Sequence, residues 1–223
     1  MIRKTILAAL LAALAAVDAQ AQSKKRVEIT GSAGWTFSEG VTGPGVPVGK
    51  LGTYTRIDPL NAFSLGGRVG FLLGRHSEIG LLFSQESTDL DITGVSSLKI
   101  ADVKVRNYHG YLAYNFLSTE TFARPYLLLG FGSTRYAPSA VPVAGLTRDV
   151  GGSSRFSSTG AIGLKLFPEG RTFGFRLEGR WTPTRIKANS SGFWCDAYWG
   201  CYSASKTQYS NQFEWTAGIM LRF

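Results

Sequence analysis

The chain has 223 residues and a formal charge of +9, from 24 Lys and Arg against 15 Asp and Glu, with 44% hydrophobic, 13% aromatic and only 17% charged residues. That aromatic content argues against disorder, and 27 glycines argue against a long-helix or coiled-coil protein. No run of 18 or more apolar residues follows position 25, so no membrane-spanning helix is predicted for the mature chain, and a β-rich domain is left.

At the start, Arg3 and Lys4 precede an apolar stretch from Ile6 to Val17, and Ala19-Gln20-Ala21 then offers the small residues that a signal peptidase requires. Residues 1–21 read as a cleaved secretory signal peptide, exported through the Sec pathway, and 22–223 as the mature domain. The apolar stretch falls short of the roughly 20 residues an anchor helix needs, and no cysteine stands at the cleavage point to take a lipid. Loss of Arg3, Lys4 and Asp18 leaves 22 basic and 14 acidic residues, a mature charge of +8.

Period-two patterning begins at Val27, with Val27, Ile29, Ala33, Trp35 and Phe37 on one face and Glu28, Thr30, Ser32 and Thr36 on the other. It recurs at Phe63, Leu65, Val69 and Phe71 against Ser64 and Arg68, and at Ile79, Leu81 and Phe83 against Glu78 and Ser84. Leu112, Tyr114 and Phe116 oppose His109, Tyr111 and Asn115. Further runs cover 124–135, 155–167, 172–187 and 208–223, which brings the count to eight strands. In the last two, Phe173, Phe175, Leu177 and Trp181 alternate with Arg176, Glu178 and Arg180, and Phe213, Trp215, Ile219, Leu221 and Phe223 alternate with Glu214, Thr216 and Arg222.

Periodicity alone fits a soluble sandwich as well as a membrane barrel. Connection lengths separate them. The connections are 39–58, 73–76, 88–99, 118–123, 136–153, 168–170 and 188–207, long and short in strict alternation. An up-and-down barrel puts odd connections at one rim and even ones at the other, and outer-membrane barrels have short periplasmic turns and long external loops. The prediction is an all-β protein, an eight-stranded antiparallel up-and-down transmembrane β-barrel with periplasmic termini and four long extracellular loops. Trp35, Phe37, Phe63 and Trp181 then fall where rings favour the membrane interface. Gly66, Gly67, Gly70, Gly130, Gly132, Gly160 and Gly163 lie inside strands, where glycine lets a small barrel coil tightly.

The segments Arg124-Pro125-Tyr126-Leu127-Leu128-Leu129-Gly130-Phe131-Gly132, Arg176-Leu177-Glu178-Gly179-Arg180-Trp181 and Gly218-Ile219-Met220-Leu221-Arg222-Phe223 resemble the small eight-stranded outer-membrane proteins of Gram-negative bacteria, the group of OmpA, OmpX and OmpW. The resemblance implies that the barrel-assembly machinery recognises the terminal strand through Phe223. The chain stops at that residue, so the peptidoglycan-binding domain of full-length OmpA is not carried over.

An eight-stranded lumen is narrow enough for side chains to fill. The predicted inward set is Glu28, Arg68, Glu78, Arg106, Lys165, Arg176, Glu178, Arg180, Glu214 and Arg222. Unpaired, each such charge would cost several kcal/mol. The set reads either as a structural salt-bridge network with trapped water or as a narrow polar path biased toward anions, since six of the ten are basic. The long connections are close to neutral, summing to 0, −1, 0 and 0, so the charge excess lies inside the barrel, in Lys24-Lys25-Arg26 and at the outer strand ends. There Arg135, Arg155, Arg185 and Lys187 are expected to form a rim facing lipopolysaccharide phosphates.

Cys195 and Cys201 share the final long connection of an exported protein, which predicts a disulfide. It would close a short loop and stabilise by about 2.4 kcal/mol, enough to shape a loop tip only. The same connection, 188–207, carries Phe193, Trp194, Tyr198, Trp199 and Tyr202, a density that suggests an extracellular ligand or aromatic packing over the barrel mouth. No metal site, cofactor, nucleotide site or nucleic-acid partner is predicted. The favoured function is a monomeric, non-enzymatic outer-membrane protein with a structural or surface-interaction role. A narrow channel for small polar or anionic solutes is the alternative. A lipid A-modifying enzyme, for which His109 would be the base, is a third, although no His-x-Ser motif accompanies that residue.

Overall fold

The computed structural model describes residues 26–47, 53–93, 97–118, 121–140, 152–168, 172–186, 194–196, 200–202 and 208–223. In chain order the strands are β1 (Val27–Ser38), β2 (Val41–Pro47), β3 (Thr53–Pro59), β4 (Ala62–Leu72), β5 (Ser77–Thr93), β6 (Ser97–Asn115), β7 (Ala123–Ala140), β8 (Ser153–Leu166), β9 (Phe173–Ile186), β10 (Trp194–Asp196), β11 (Gly200–Tyr202) and β12 (Gln208–Arg222). Eight of them close in the order β1, β4, β5, β6, β7, β8, β9, β12 and back to β1, each antiparallel to its neighbours. At the seam Glu28 opposes Arg222 and Ser38 opposes Gln212. Below it Val27 and Phe223 exchange backbone hydrogen bonds at 3.1 and 2.9 Å. Closure pairs the backbone polar groups along both members of the seam, the condition for a sheet to sit in hydrocarbon.

The strands keep the alternation read from the sequence, with the faces inverted relative to a soluble protein. On β9, Phe173, Phe175, Leu177 and Trp181 are exposed while Arg176, Glu178 and Arg180 are buried. The same holds on β5, where Leu81 is 70% exposed and Glu78 is wholly enclosed. A sandwich would bury its apolar faces, so charges inside and leucines outside exclude that alternative. No helix among the described residues is long and apolar enough to cross a membrane.

Aromatic rings ring the outer wall at two heights. Toward the long connections, Trp181 stacks on Phe213, Phe83 meets Tyr108 and Phe131 stacks on Phe156, with Trp35 and Phe63 as register partners nearby. Toward the termini, Tyr114 packs with Phe116 and Phe173 with Phe175. Tyr108 and Phe116 are eight residues apart on the same face. That is about 27 Å along the strand and about 20 Å along the normal at a usual tilt, close to the apolar band of a transmembrane barrel.

Two features go beyond the sequence reading. The connection expected at 88–99 is mostly strand. β5 and β6 stay paired from Ser77 opposite Tyr114 up to Thr93 opposite Ser97, with a shift in register between Leu90 and Asp91. β3 then adds to the outer end of β5, with β2 beyond it, inside the connection 39–58, so one side of the wall continues above the membrane as a small sheet. The second is the use of the glycines. A Cβ on Gly70 or Gly80 would lie 2.7 Å from the Tyr111 hydroxyl, and one on Gly163 2.5 Å from that of Tyr126. These glycines leave room for two tyrosine rings inside the barrel.

Candidate functional site

Among the described residues, the lumen is where the fold gathers charged and polar side chains. In its terminal half, Lys165 on β8 bridges Glu28 on β1 and Glu78 on β5, donating to Glu28 at 2.8 Å and forming a short contact with Glu78. Glu28 also accepts from Arg222 at 2.7 Å and lies 3.7 Å from Arg124 and 3.6 Å from Arg176. Glu78 accepts from the Tyr111 hydroxyl at 2.5 Å and lies 3.7 Å from Arg176. One step outward, a single Arg68 nitrogen donates to both Glu178 oxygens at 2.7 and 2.8 Å, and Tyr126 donates to the same carboxylate. Arg180 pairs with Glu214, which also accepts from Ser64 at 2.6 Å.

Aromatic rings fill the space between these ions. Arg68 lies 5.1 Å from the Tyr111 ring and Arg176 5.2 Å from that of Tyr126, within cation–π range. Phe167 plugs the terminal mouth, with Arg222 at 3.9 Å and Arg124 at 4.6 Å from its centroid.

The outer half is built mostly from hydroxyl and amide groups, with Glu86 and Arg155 as charges among them. Asn107 donates to Ser84 and to Gln212, both at 3.3 Å, and accepts from Thr134 at 2.6 Å. Thr184 donates to Thr134 at 3.1 Å, and Gln212 donates to Glu86 at 2.7 Å. His109 Nε2 lies 2.9 Å from Ser157 Oγ. Along the whole height, from Glu78, Lys165 and Arg124 through Tyr126 and Leu128 to Thr134, Tyr136 and Thr184, lumen side chains are 0 or 1% exposed.

Of the predicted inward set, Glu28, Arg68, Glu78, Lys165, Arg176, Glu178, Arg180, Glu214 and Arg222 all face the lumen. Arg106 does not. It shares the outer face with Tyr108 and Leu112, sits opposite Gln85, and donates to that side chain at 2.7 Å. It lies two residues beyond the Tyr108 ring, where the wall leaves hydrocarbon and an outward guanidinium is tolerated. Arg124, Glu86, Tyr111 and Tyr126 also face the lumen; the alternation of the sequence places Tyr111 there, and it does not single out Tyr126, Arg124 or Glu86.

At the expected rim, Arg135 and Arg185 are exposed and outward, paired in register with Arg106 and Tyr209. Arg155 is the register partner of the buried Thr134 and therefore stands on the lumen face, not on the lipid side. Lys187 lies outside the described residues, as do the segment 1–21 and Lys24 and Lys25. Cys195 and Cys201 are direct register partners across the β10–β11 hairpin, and their side chains are outside the described set. Among the described residues no group of three or more His, Cys, Asp or Glu side chains is placed to hold a metal.

A closed barrel with lipid-facing leucines and paired charges inside is the build of an outer-membrane protein, and the family model for the outer membrane protein beta-barrel domain matches residues 6–223. The chain belongs to that family. Its place is accordingly the bacterial outer membrane. Solved outer-membrane barrels share the fold. Neisserial surface protein A is 13% identical, with 88% of this chain and 97% of that chain covered and a TM-score of 0.56. OprG from Pseudomonas aeruginosa is 13% identical, with 91% and 98% covered and a TM-score of 0.53. AlkL, solved by solid-state NMR in DMPC bilayers, is 14% identical, with 92% and 94% covered and a TM-score of 0.51. At these identities the likeness is one of fold. No curated protein sequence matches the chain.

Proposed function

We propose that this outer-membrane barrel is a non-enzymatic, monomeric scaffold, closed to solutes, that acts through its outer sheet, its loops and its lipid-facing wall. The observation that supports the reading is the lumen: each of its carboxylates in the terminal half is held by at least one cation, and buried side chains occupy it along its height. Opening a path would strand buried charges at several kcal/mol each. Planar-bilayer recordings of the folded protein are expected to give no unitary conductance above leak, and a reproducible anion-selective step would replace the scaffold reading with the narrow channel. The lipid A-modifying alternative draws little support from His109. Its contact with Ser157 is enclosed in the lumen, away from lipid, and the imidazole Nδ1 has no hydrogen-bond partner, so no carboxylate orients it.

The same proposal includes a signal peptide at 1–21 cleaved after Sec export, and delivery to the barrel-assembly machinery with Phe223 as part of the signal. It also includes a Cys195–Cys201 disulfide. Directly opposed residues of an antiparallel pair have Cα atoms about 4.5–5.5 Å apart, within the range a disulfide spans. Arg135 and Arg185, joined by Arg106, face lipopolysaccharide phosphates just beyond the outer aromatic girdle, and the hairpin of 188–207 offers a surface to an extracellular ligand.

A further inference from the structure

At mid-height, where the charged half of the lumen meets the hydroxyl half, there is a small cavity lined by Arg68, Arg176, Arg180, Thr30, Ser32 and Thr216. A water-sized particle can move its centre over about 10 Å³ there. Three guanidiniums border this space, and each keeps buried N–H groups that make no hydrogen bond: Nη1 of Arg68, Nε of Arg180, and Nε, Nη1 and Nη2 of Arg176. The Thr30 hydroxyl is buried without a partner as well. Buried donors in native proteins are nearly always satisfied, so such a concentration around one cavity points to something that accepts from them.

Charge gives the sign of that acceptor. Arg68 is matched by Glu178 and Arg180 by Glu214, whereas Arg176 reaches only Glu28 and Glu78, at 3.6 and 3.7 Å, and both of those have a closer cation in Lys165. Along the described lumen five cations are buried, Arg68, Arg124, Lys165, Arg176 and Arg180, with Arg222 and Arg155 half-buried toward its two ends, against five buried carboxylates, Glu28, Glu78, Glu86, Glu178 and Glu214. Among these, basic groups outnumber carboxylates, and at the cavity Arg176 is the guanidinium without a close carboxylate of its own. A space of this size suits a single small anion such as a halide better than a phosphate or sulfate.

We propose that the cavity is a binding site for a single small anion, chloride in the cell, which accepts from Arg68, Arg176 and Arg180 and from the Thr30 hydroxyl and serves as the counter-ion that balances the lumen. A bound halide is compatible with a scaffold and with a pore alike, so the conductance recording does not decide it.

The test uses the full chain folded in detergent micelles. Crystals soaked in bromide should show one anomalous peak among the three arginines. Heat stability, read as the folded fraction on unheated gels, should rise with sodium chloride or bromide and saturate, and should not rise with sodium gluconate at the same ionic strength. Thr30→Val removes one donor at constant shape and should raise the half-effective halide concentration about tenfold, the loss of one hydrogen bond to a charge, with stability in gluconate unchanged. Arg176→Met should abolish the halide effect, and if that variant does not fold, Thr30→Val decides. Water in place of bromide together with equal stability in halide and gluconate would overturn the proposal.

Discussion

Lys165 shows how a single residue holds the interior. It is fully buried, and its ammonium is the closest cation to both Glu28 and Glu78 apart from Arg222 at the rim. Lys165→Met leaves a buried carboxylate under-neutralised and is expected to cost about 3–5 kcal/mol, whereas adding Glu78→Gln removes the orphaned charge and should recover at least half of that. Urea titration of the folded fraction in detergent checks both, and equal losses for the single and double variants would show that the pair is not coupled. Nine of the ten inward charges were legible because a charge alternating with leucine or phenylalanine has only one side of a membrane wall to occupy. Arg106 broke the rule because it stands beyond the hydrocarbon, where the outer face is wet and polarity no longer reports direction. Glu86 and Arg124 escaped notice for a related reason. Glu86 lies in the polar stretch from Ser84 to Asp89, and Arg124 sits between Ala123 and Pro125 at the start of its strand, before the alternation of large apolar side chains begins.

Among the elements, the outward extensions of β5, β6 and β7 place Arg106 opposite Arg135 on the lipid side. Two like charges directly opposed across strands repel, and the proposed anionic headgroup between them would turn that repulsion into a site. Reversing Arg106, Arg135 and Arg185 to Glu should weaken lipopolysaccharide retention through purification, at about 1 kcal/mol per residue, and leave insertion into phosphatidylcholine bilayers unchanged; undiminished retention would remove the rim from the proposal. For the β10–β11 hairpin, intact-mass measurement should find the bonded form, 2 Da below the dithiol. Cys201→Ser should destabilise the hairpin by up to about 2.4 kcal/mol without moving the barrel's urea midpoint. Two free thiols in periplasm-assembled protein would dismiss the bond. The eight barrel strands could be read from alternation, but the ribbon above the membrane could not. Thr88, Asp89 and Asp91 look like a loop because both faces of a strand in water are free to be polar, and backbone pairing alone leaves no side-chain pattern.

Taken as a whole molecule, the barrel was legible to the extent that the membrane dictates it: apolar outside, polar inside, long connections on one rim. The division of the lumen into an ionic half and a hydroxyl half was not, because both kinds of residue satisfy the same alternation, and only the register across β1, β5, β8 and β9 brings Glu28, Glu78, Lys165 and Arg176 to one height. The seam between β1 and β12 bears on how such a molecule comes to exist. Neighbouring strands meet through hairpins of modest span, but Glu28 finds Arg222 only after the intervening chain has been ordered. Until that contact forms, two sheet edges carry bare N–H and C=O groups that hydrocarbon rejects at several kcal/mol each. Membrane entry and ring closure are therefore one kinetic event, governed by a contact of very high sequence separation and slow for that reason. A nascent chain still lacking its last strand must wait at the aqueous surface, whatever the affinity of its leucines for lipid.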